Sequence, residues 1–174
     1  LSNTTETISS HGVAGGKALD GWGNTDTLLN IERVYGSAFD DVIIGSANGD
    51  NIIGNGGNDY LDGGDGSDYL NYSESSDGVT VDLGQTTAQF ISASQGVDTV
   101  LNFEKAFGSN HNDLLIGDDG DNWISGTSGN DIIYGEGGND TIFAGYDSSI
   151  GNAKIDGGSG DDWLIGQGGS DILI

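Results

Sequence analysis

The chain has 174 residues, 28 acidic and 4 basic, giving a formal net charge of -24. That balance excludes a nucleic-acid role, which needs a cationic footprint, and opposes docking on an anionic membrane. With 33 glycines, no proline and no cysteine, disulfides, thiol chemistry, zinc–thiolate sites and collagen are excluded, and no apolar run approaches the roughly 18 residues of a membrane span.

Residues 1–35 form a connecting unit that reads as truncated at its start, because the first residues look like the middle of a strand. No signal peptide opens the chain, and the sequence is expected to be an excised fragment. The segment DTLLNIERVYGS at 26–37 returns as DTVLNFEKAFGS at 98–109, and LSNTTETIS at 1–9 resembles LGQTTAQFIS at 83–92. The first copy carries extra residues around His11 to Asp20.

From Gly36 to Asn71 four nine-residue rows follow without a gap: GSAFDDVII, GSANGDNII, GNGGNDYLD and GGDGSDYLN. Their sixth positions are Asp41, Asp50, Asp59 and Asp68, and their eighth are Ile43, Ile52, Leu61 and Leu70. Residues 72–107 are the second connecting unit, β-branched around 79–83 and 97–107. At 36 residues it would fill four further rows of irregular roll. Its first row, YSESSDGVT, puts Asp77 in the acidic place, and Glu104 and Lys105 read as a solvated ion pair.

The second array spans 108–174. Its rows GSNHNDLLI, GDDGDNWIS, GTSGNDIIY and GEGGNDTIF carry Asp113, Asn122, Asp131 and Asp140. A short insertion near 144–147 precedes a weak row, 148–156, with Ala153 in the acidic place, and two last rows carry Asp162 and Asp171.

Each row divides into a six-residue glycine loop and a three-residue strand. Glycine permits the positive φ of a tight loop. Alternation along the strand points its middle residue inward and its neighbours outward, so the eighth positions form an apolar stack. Trp123, Thr141 and Trp163 are expected to line one outer sheet, with Tyr60, Tyr69, Tyr134 and Phe143 also outward. His11 and His111 are the only histidines. No Ser or Thr has a recognisable base beside it, and no phosphate-binding loop is visible, so the chain is expected not to be an enzyme.

This nonapeptide resembles the RTX (repeats-in-toxin) calcium-binding repeat, a known signature of parallel β-helices. The resemblance implies an all-β fold, a parallel β-roll (β-solenoid), in which successive loops alternate between two edges and loops two rows apart are neighbours. Stacked strands lie about 4.8 Å apart and Ca²⁺ takes about 6–8 oxygens at roughly 2.3–2.6 Å, so an ion between stacked loops reaches an Asp from each. The expected pairs are Asp41 with Asp59, Asp50 with Asp68, Asp113 with Asp131, a weaker Asn122 with Asp140, Asp140 with Asp162 across the insertion, and Asp59 with Asp77. Asp171 would face Ala153. The resemblance also implies carbonyl ligands from positions two and four of one loop and one and three of the next. These are Ser37, Phe39, Gly54 and Gly56 for the first pair, and Ser46, Asn48, Gly63 and Asp65 for the second. In the later array they are Ser109, His111, Gly126 and Ser128, then Asp118, Gly120, Gly135 and Gly137. Asn55 and Gly57 would serve the Asp77 site, and Gly157 and Ser159 the Asp162 site. Several calcium ions are the implied cofactors.

Proteins resembling this one leave the cell through type I secretion machinery, so the resemblance implies an extracellular module that folds on meeting calcium. Two alternatives stay open: a polysaccharide-binding module, such as those that hold alginate, and a spacer segment of an RTX adhesin.

Overall fold

The computed structural model describes the backbone at 17–19 and 25–27 and the whole of residues 32–145 and 151–174. The expected connecting unit 1–35 therefore lies mostly outside the described residues, as do Tyr146 and Asp147 of the insertion and the start of row 148–156. Among the described residues every element is a strand, and no helix is long and apolar enough to cross a membrane.

Strand β1 (Lys17–Leu19) pairs antiparallel with β2 (Thr25–Thr27) and with β4 (Val42–Ile44). The rows then alternate between two faces. One face stacks β3 (Arg33–Tyr35), β5 (Asn51–Ile53), β7 (Tyr69–Asn71), β11 (Lys105–Phe107), β13 (Trp123–Ser125), β15 (Thr141–Phe143) and β17 (Trp163–Ile165), all parallel. The opposite face is split into two sheets. Parallel β4, β6 (Tyr60–Asp62) and β10 (Gly96–Leu101) end on antiparallel β9 (Gln89–Ser92). Beyond them β8 (Thr80–Asp82), β12 (Leu114–Ile116), β14 (Ile132–Tyr134), β16 (Lys154–Asp156) and β18 (Ile172–Leu173) stack in parallel.

The two faces close on one apolar column. Ile43, Ile52, Leu61, Leu70, Val81, Val100, Ala106, Leu115, Ile124, Ile133, Ile142 and Ile155 are all buried, and each but Val100, the fifth residue of β10, is the middle residue of a three-residue strand. Alternation along a three-residue strand turns its middle side chain into the roll, and each buried Leu or Ile contributes about 1.5–3 kcal/mol of transfer free energy. Leu173, at the last strand, occupies the same column and is 46% exposed.

The connector departs from the expected four rows. On the unbroken face β7 passes directly to β11, with Leu70 beside Ala106. On the split face the chain runs forward to β8, which pairs with β12, then turns back through β9 to place β10 on β6. The 72–107 unit is thus one coil carrying a folded-back excursion. A hairpin bonded along its own length needs no nine-residue period, which is why counting rows could not find it.

The stack predicts a sharp contrast between neighbours in β14. In urea unfolding at a fixed saturating calcium concentration, Ile133→Ala is expected to cost about 2–5 kcal/mol, because Ile133 is 0% exposed. Ile132→Ala, on the outer side and 41% exposed, is expected to stay within about 0.5 kcal/mol of the parent.

Candidate metal centres along the loop edges

In the nine-residue rows the residue before the strand is Asp everywhere except Asn122 and Ala153, and the Asp makes one recurring bond. Its Oδ1 accepts the backbone N–H of the equivalent residue one coil earlier. Asp59 takes the Asp41 N–H at 2.8 Å and Asp68 that of Asp50 at 2.7 Å. Asp131 takes that of Asp113 at 3.0 Å and Asp140 that of Asn122 at 2.8 Å. Across the insertion Asp162 takes the Asp140 N–H at 2.9 Å, and Asp171 takes that of Ala153 at 2.9 Å. These six loop pairs, expected to be neighbours, are neighbours.

The second oxygen tells the loops apart. In the opening loops of each array, residue two is Ser37, Ser46, Ser109 or Asp118. Its N–H donates to the position-six side chain, at 2.5 Å to Asp41, 2.6 Å to Asp50, 2.7 Å to Asp113 and 2.8 Å to Asn122. Its side-chain oxygen accepts the N–H of residue four: Phe39, Asn48, His111 or Gly120. These loops satisfy their own polar groups. In the loops that stack on them residue two has turned left-handed, as at Asn55 (φ 64) and Thr127 (φ 68), and its N–H no longer reaches the carboxylate. Asp59, Asp68, Asp131 and Asp140 are then left with a buried Oδ2 that has no hydrogen-bond partner. They are the second members of four of the expected pairs. A β-branched residue such as Thr127 is a genuine outlier at positive φ, and its hydroxyl donates to the Ser109 carbonyl.

Backbone oxygens crowd the same space. The Phe39 carbonyl backs onto Gly57 (φ 135) and the Asn48 carbonyl onto Gly66 (φ 140), so close that an added Cβ would lie 2.6 Å and 2.8 Å from those oxygens. Only glycine allows that approach and that φ. The carbonyls of His111 and Gly120 sit likewise behind Gly129 and Gly138, and that of Ser46 behind Gly64. From the later loops, the Gly54, Gly63, Gly126 and Gly135 carbonyls turn back toward the first glycine of the loop below. Of the third-position residues, Asp65 and Ser159 are exposed and Ser128 half-buried. Gly56 lies under the Ser94 carbonyl, and Gly137 gives its N–H to the Asp118 carbonyl at 2.9 Å. Gly157 is buried against the Asp162 carboxylate.

Among the described residues no three His, Asp or Glu side chains converge on one point. An ion held here must therefore take two carboxylates and complete its shell with carbonyls. That all-oxygen donor set suits calcium and is poor for zinc or copper. The unpartnered buried oxygens and the glycine-lined carbonyls fit such an ion.

Three expectations need correction. Asp77 is not the neighbour of Asp59, because β8 starts two residues later than a nine-residue count implies. Val79 fills the place before that strand and donates its N–H to Asp113 at 2.8 Å, while the Asp77 carbonyl accepts from Ser75. The loop stacked on Asn55 and Gly57 is instead 92–98, and Asp98 takes the Asp59 N–H at 3.0 Å. Glu104 is no solvated partner of Lys105. It takes the Asp68 N–H at 2.9 Å, and Lys105 lies 4.1 Å from the Tyr69 ring centroid. Asp98 and Glu104 were legible as D-x-U-x and E-x-U-x, but neither follows a glycine loop.

A second column was not foreseen. Position five bonds in the opposite sense, each later N–H donating to the earlier side chain. Asn58 donates to Asp40, Asn130 to Asn112, Asn139 to Asp121 and Asn152 to Asn130, all at 2.7–2.9 Å. This outer column is exposed and holds stacked loops together without any ion.

Burial raises the inner carboxyls far above their usual 3.8: Asp59 to about 8, Asp131 to about 7, and Asp68 and Asp140 to about 6. The folded state therefore holds protons that the unfolded chain has released above about pH 4. By linkage, metal-free stability is full at low pH and is lost as pH rises through about 6–8. In EDTA, sheet content by far-UV circular dichroism is expected to be lost as pH rises from about 5 to about 8. Calcium, which needs the deprotonated carboxylates, is expected to bind more weakly at the acid end. Metal-free sheet content that rises over that interval would contradict the burial of these groups.

The family model of the RTX calcium-binding nonapeptide repeat, in four copies, matches residues 35–70, 107–145 and 147–174. No curated protein matches the chain. The matched segments cover both loop arrays and most of the chain, so this is a calcium-binding structural module belonging to the RTX calcium-binding nonapeptide repeat family.

Proposed function

We propose that the chain is a calcium-triggered folding module of a larger secreted protein, a scaffold rather than a catalyst. Four buried carboxylate oxygens without a partner carry this reading. Without an ion, each array must bury carboxylates of like charge a single strand spacing apart, and their repulsion and desolvation oppose folding. With an ion, the binding free energy becomes folding free energy. Calcium is scarce in the cytosol and plentiful outside. An acidic chain of this kind stays extended inside, suits passage through a type I channel, and folds after export. Several ions, one per paired loop, would be held by Asp41 with Asp59, Asp50 with Asp68, Asp113 with Asp131 and Asn122 with Asp140.

One feature favours a second, compatible role in holding a polysaccharide. The unbroken face has no Asp or Glu at any outward strand position. It carries Tyr35, Tyr69, Phe107, Trp123, Phe143 and Trp163, together with Arg33 and Lys105, two of the four basic residues. Aromatic faces of this kind stack on sugar rings. Retardation in affinity gels containing alginate or a neutral glucan supports this role, and unchanged mobility in both removes it.

Far-UV circular dichroism tests the main reading. Calcium added to the EDTA-treated chain is expected to raise sheet content cooperatively, and magnesium is not, because it resists giving up its water. A chain already folded in EDTA at about pH 8, where the inner carboxyls are ionised, would sink the export mechanism. Asp131→Asn keeps the acceptor for the Asp113 N–H but removes a charge, and is expected to shift the calcium midpoint upward while leaving the saturated spectrum unchanged.

A further inference from the structure

The inner column does not stop at the end of the first array. It continues from Asp59 to Asp98, and there the chemistry changes. Asp98 is 0% exposed, yet both its oxygens are engaged by protein donors. Oδ1 takes the Asp59 N–H at 3.0 Å and Oδ2 takes the Tyr72 hydroxyl at 2.8 Å. Tyr72 is itself 2% exposed, a large side chain buried with its one polar atom committed to this bond.

The loop that delivers Asp98 is also of another kind. Residues 93–95 form the turn between antiparallel β9 and β10, and Asp98 stands within β10 rather than after a glycine loop. The Gln95 carbonyl is spent on the Gly57 N–H at 3.2 Å, and Gly96 (φ 94) packs against the Gly57 carbonyl. The carboxylate oxygen that elsewhere has no partner is bonded here by the Tyr72 hydroxyl. The residues on this side of loop 54–59 do not fit an ion.

We infer that Tyr72 is a positioning residue for calcium at loop 54–59: through Asp98 it fixes Asp59 from the side that holds no metal, and so closes the first array with a phenol proton in place of a cation. The inference rests on Asp59 being a calcium ligand. Asp59 keeps its unpartnered Oδ2 for the loop below, while its backbone is pinned by a carboxylate that Tyr72 orients. Supports of this kind around a metal ligand typically change affinity by about 10–100-fold.

The test is hydrogen exchange read by mass spectrometry across a calcium titration of the full chain. In Tyr72→Phe, the calcium midpoint for protecting residues 54–61 is expected to rise about tenfold, while that for 126–133 stays unchanged. The number of ions bound at saturation, counted by native mass spectrometry, is expected to equal the parent's. Asp98→Ala is expected to behave like Tyr72→Phe. Asp98→Asn, which keeps an acceptor for Asp59 and an amide for the Tyr72 oxygen, is expected to restore most of the affinity. An equal shift in both segments, no shift in either, or failure of Tyr72→Phe to gain protection at any calcium concentration would reduce Tyr72 to general packing and overturn the inference. Loss of one bound ion would overturn it differently, by showing metal at the junction. Failure of calcium to protect either segment in the parent chain would instead sink the calcium-folding reading itself.

Discussion

A carboxylate with one oxygen bonded to backbone and the other buried without a partner is the constraint on which this fold depends. The first bond sets the register: each Asp grips the chain one coil below, so loops stack directly over one another. The second oxygen sets the condition for stability, because a buried anionic atom without a donor is costly. The apolar column of Ile and Leu, widened at the connector by Tyr72, Val79, Ile91 and Phe103, supplies attraction between the faces, while the stacked carboxylates at either edge oppose it. The outer position-five ladder, from Asp40 to Asn58 and from Asp121 to Asn139, joins the same loops in the opposite sense. Together the two columns fix the spacing of the loops, and the ion supplies the charge balance.

Loop chemistry follows from the same constraint. A serine or aspartate at position two lets a loop satisfy itself, as at Ser37, Ser46, Ser109 and Asp118, and those residues open the arrays. A left-handed residue there withdraws the N–H and exposes the carboxylate to the cradle, as at Asn55 and Thr127. The backbone conformation at position two thus separates a loop that begins a stack from a loop that continues it.

Much of this was readable in the sequence because it is periodic. The glycine loops, the inward column and the pairs Asp41–Asp59, Asp50–Asp68, Asp113–Asp131 and Asn122–Asp140 all follow from a nine-residue count and alternation between edges. Asp140 beside Asp162 followed from letting the insertion loop out. The reading failed where the period does. Asp77 was placed by counting, but the strand that follows it starts late and Val79 takes its place. Asp98 and Glu104 belong to the inner column without a glycine loop before them. The doubling back of β9 and β10 depends on an antiparallel hairpin, and nothing in a parallel repeat announces one. Tyr72 was invisible for a simpler reason: its partner lies 26 residues away, and no spacing rule links them.

The connector also sets the tempo of assembly. Within each array the linked groups are 18 residues apart, or 22 across the insertion, so coils zip onto one another through short closures. At the connector the separations grow to 34, 36 and 39 residues. Doubling a closure length adds only about 0.6 kcal/mol of entropy cost, but non-local pairing slows folding well beyond what that figure suggests. Strand β8 lies at the edge of its sheet, with β12 its parallel neighbour, and so waits for chain that follows it by a full coil and more. On this topology the roll is expected to grow as two fast zippers separated by a pause, and the pause falls at the connector where the Tyr72 hydroxyl meets Asp98.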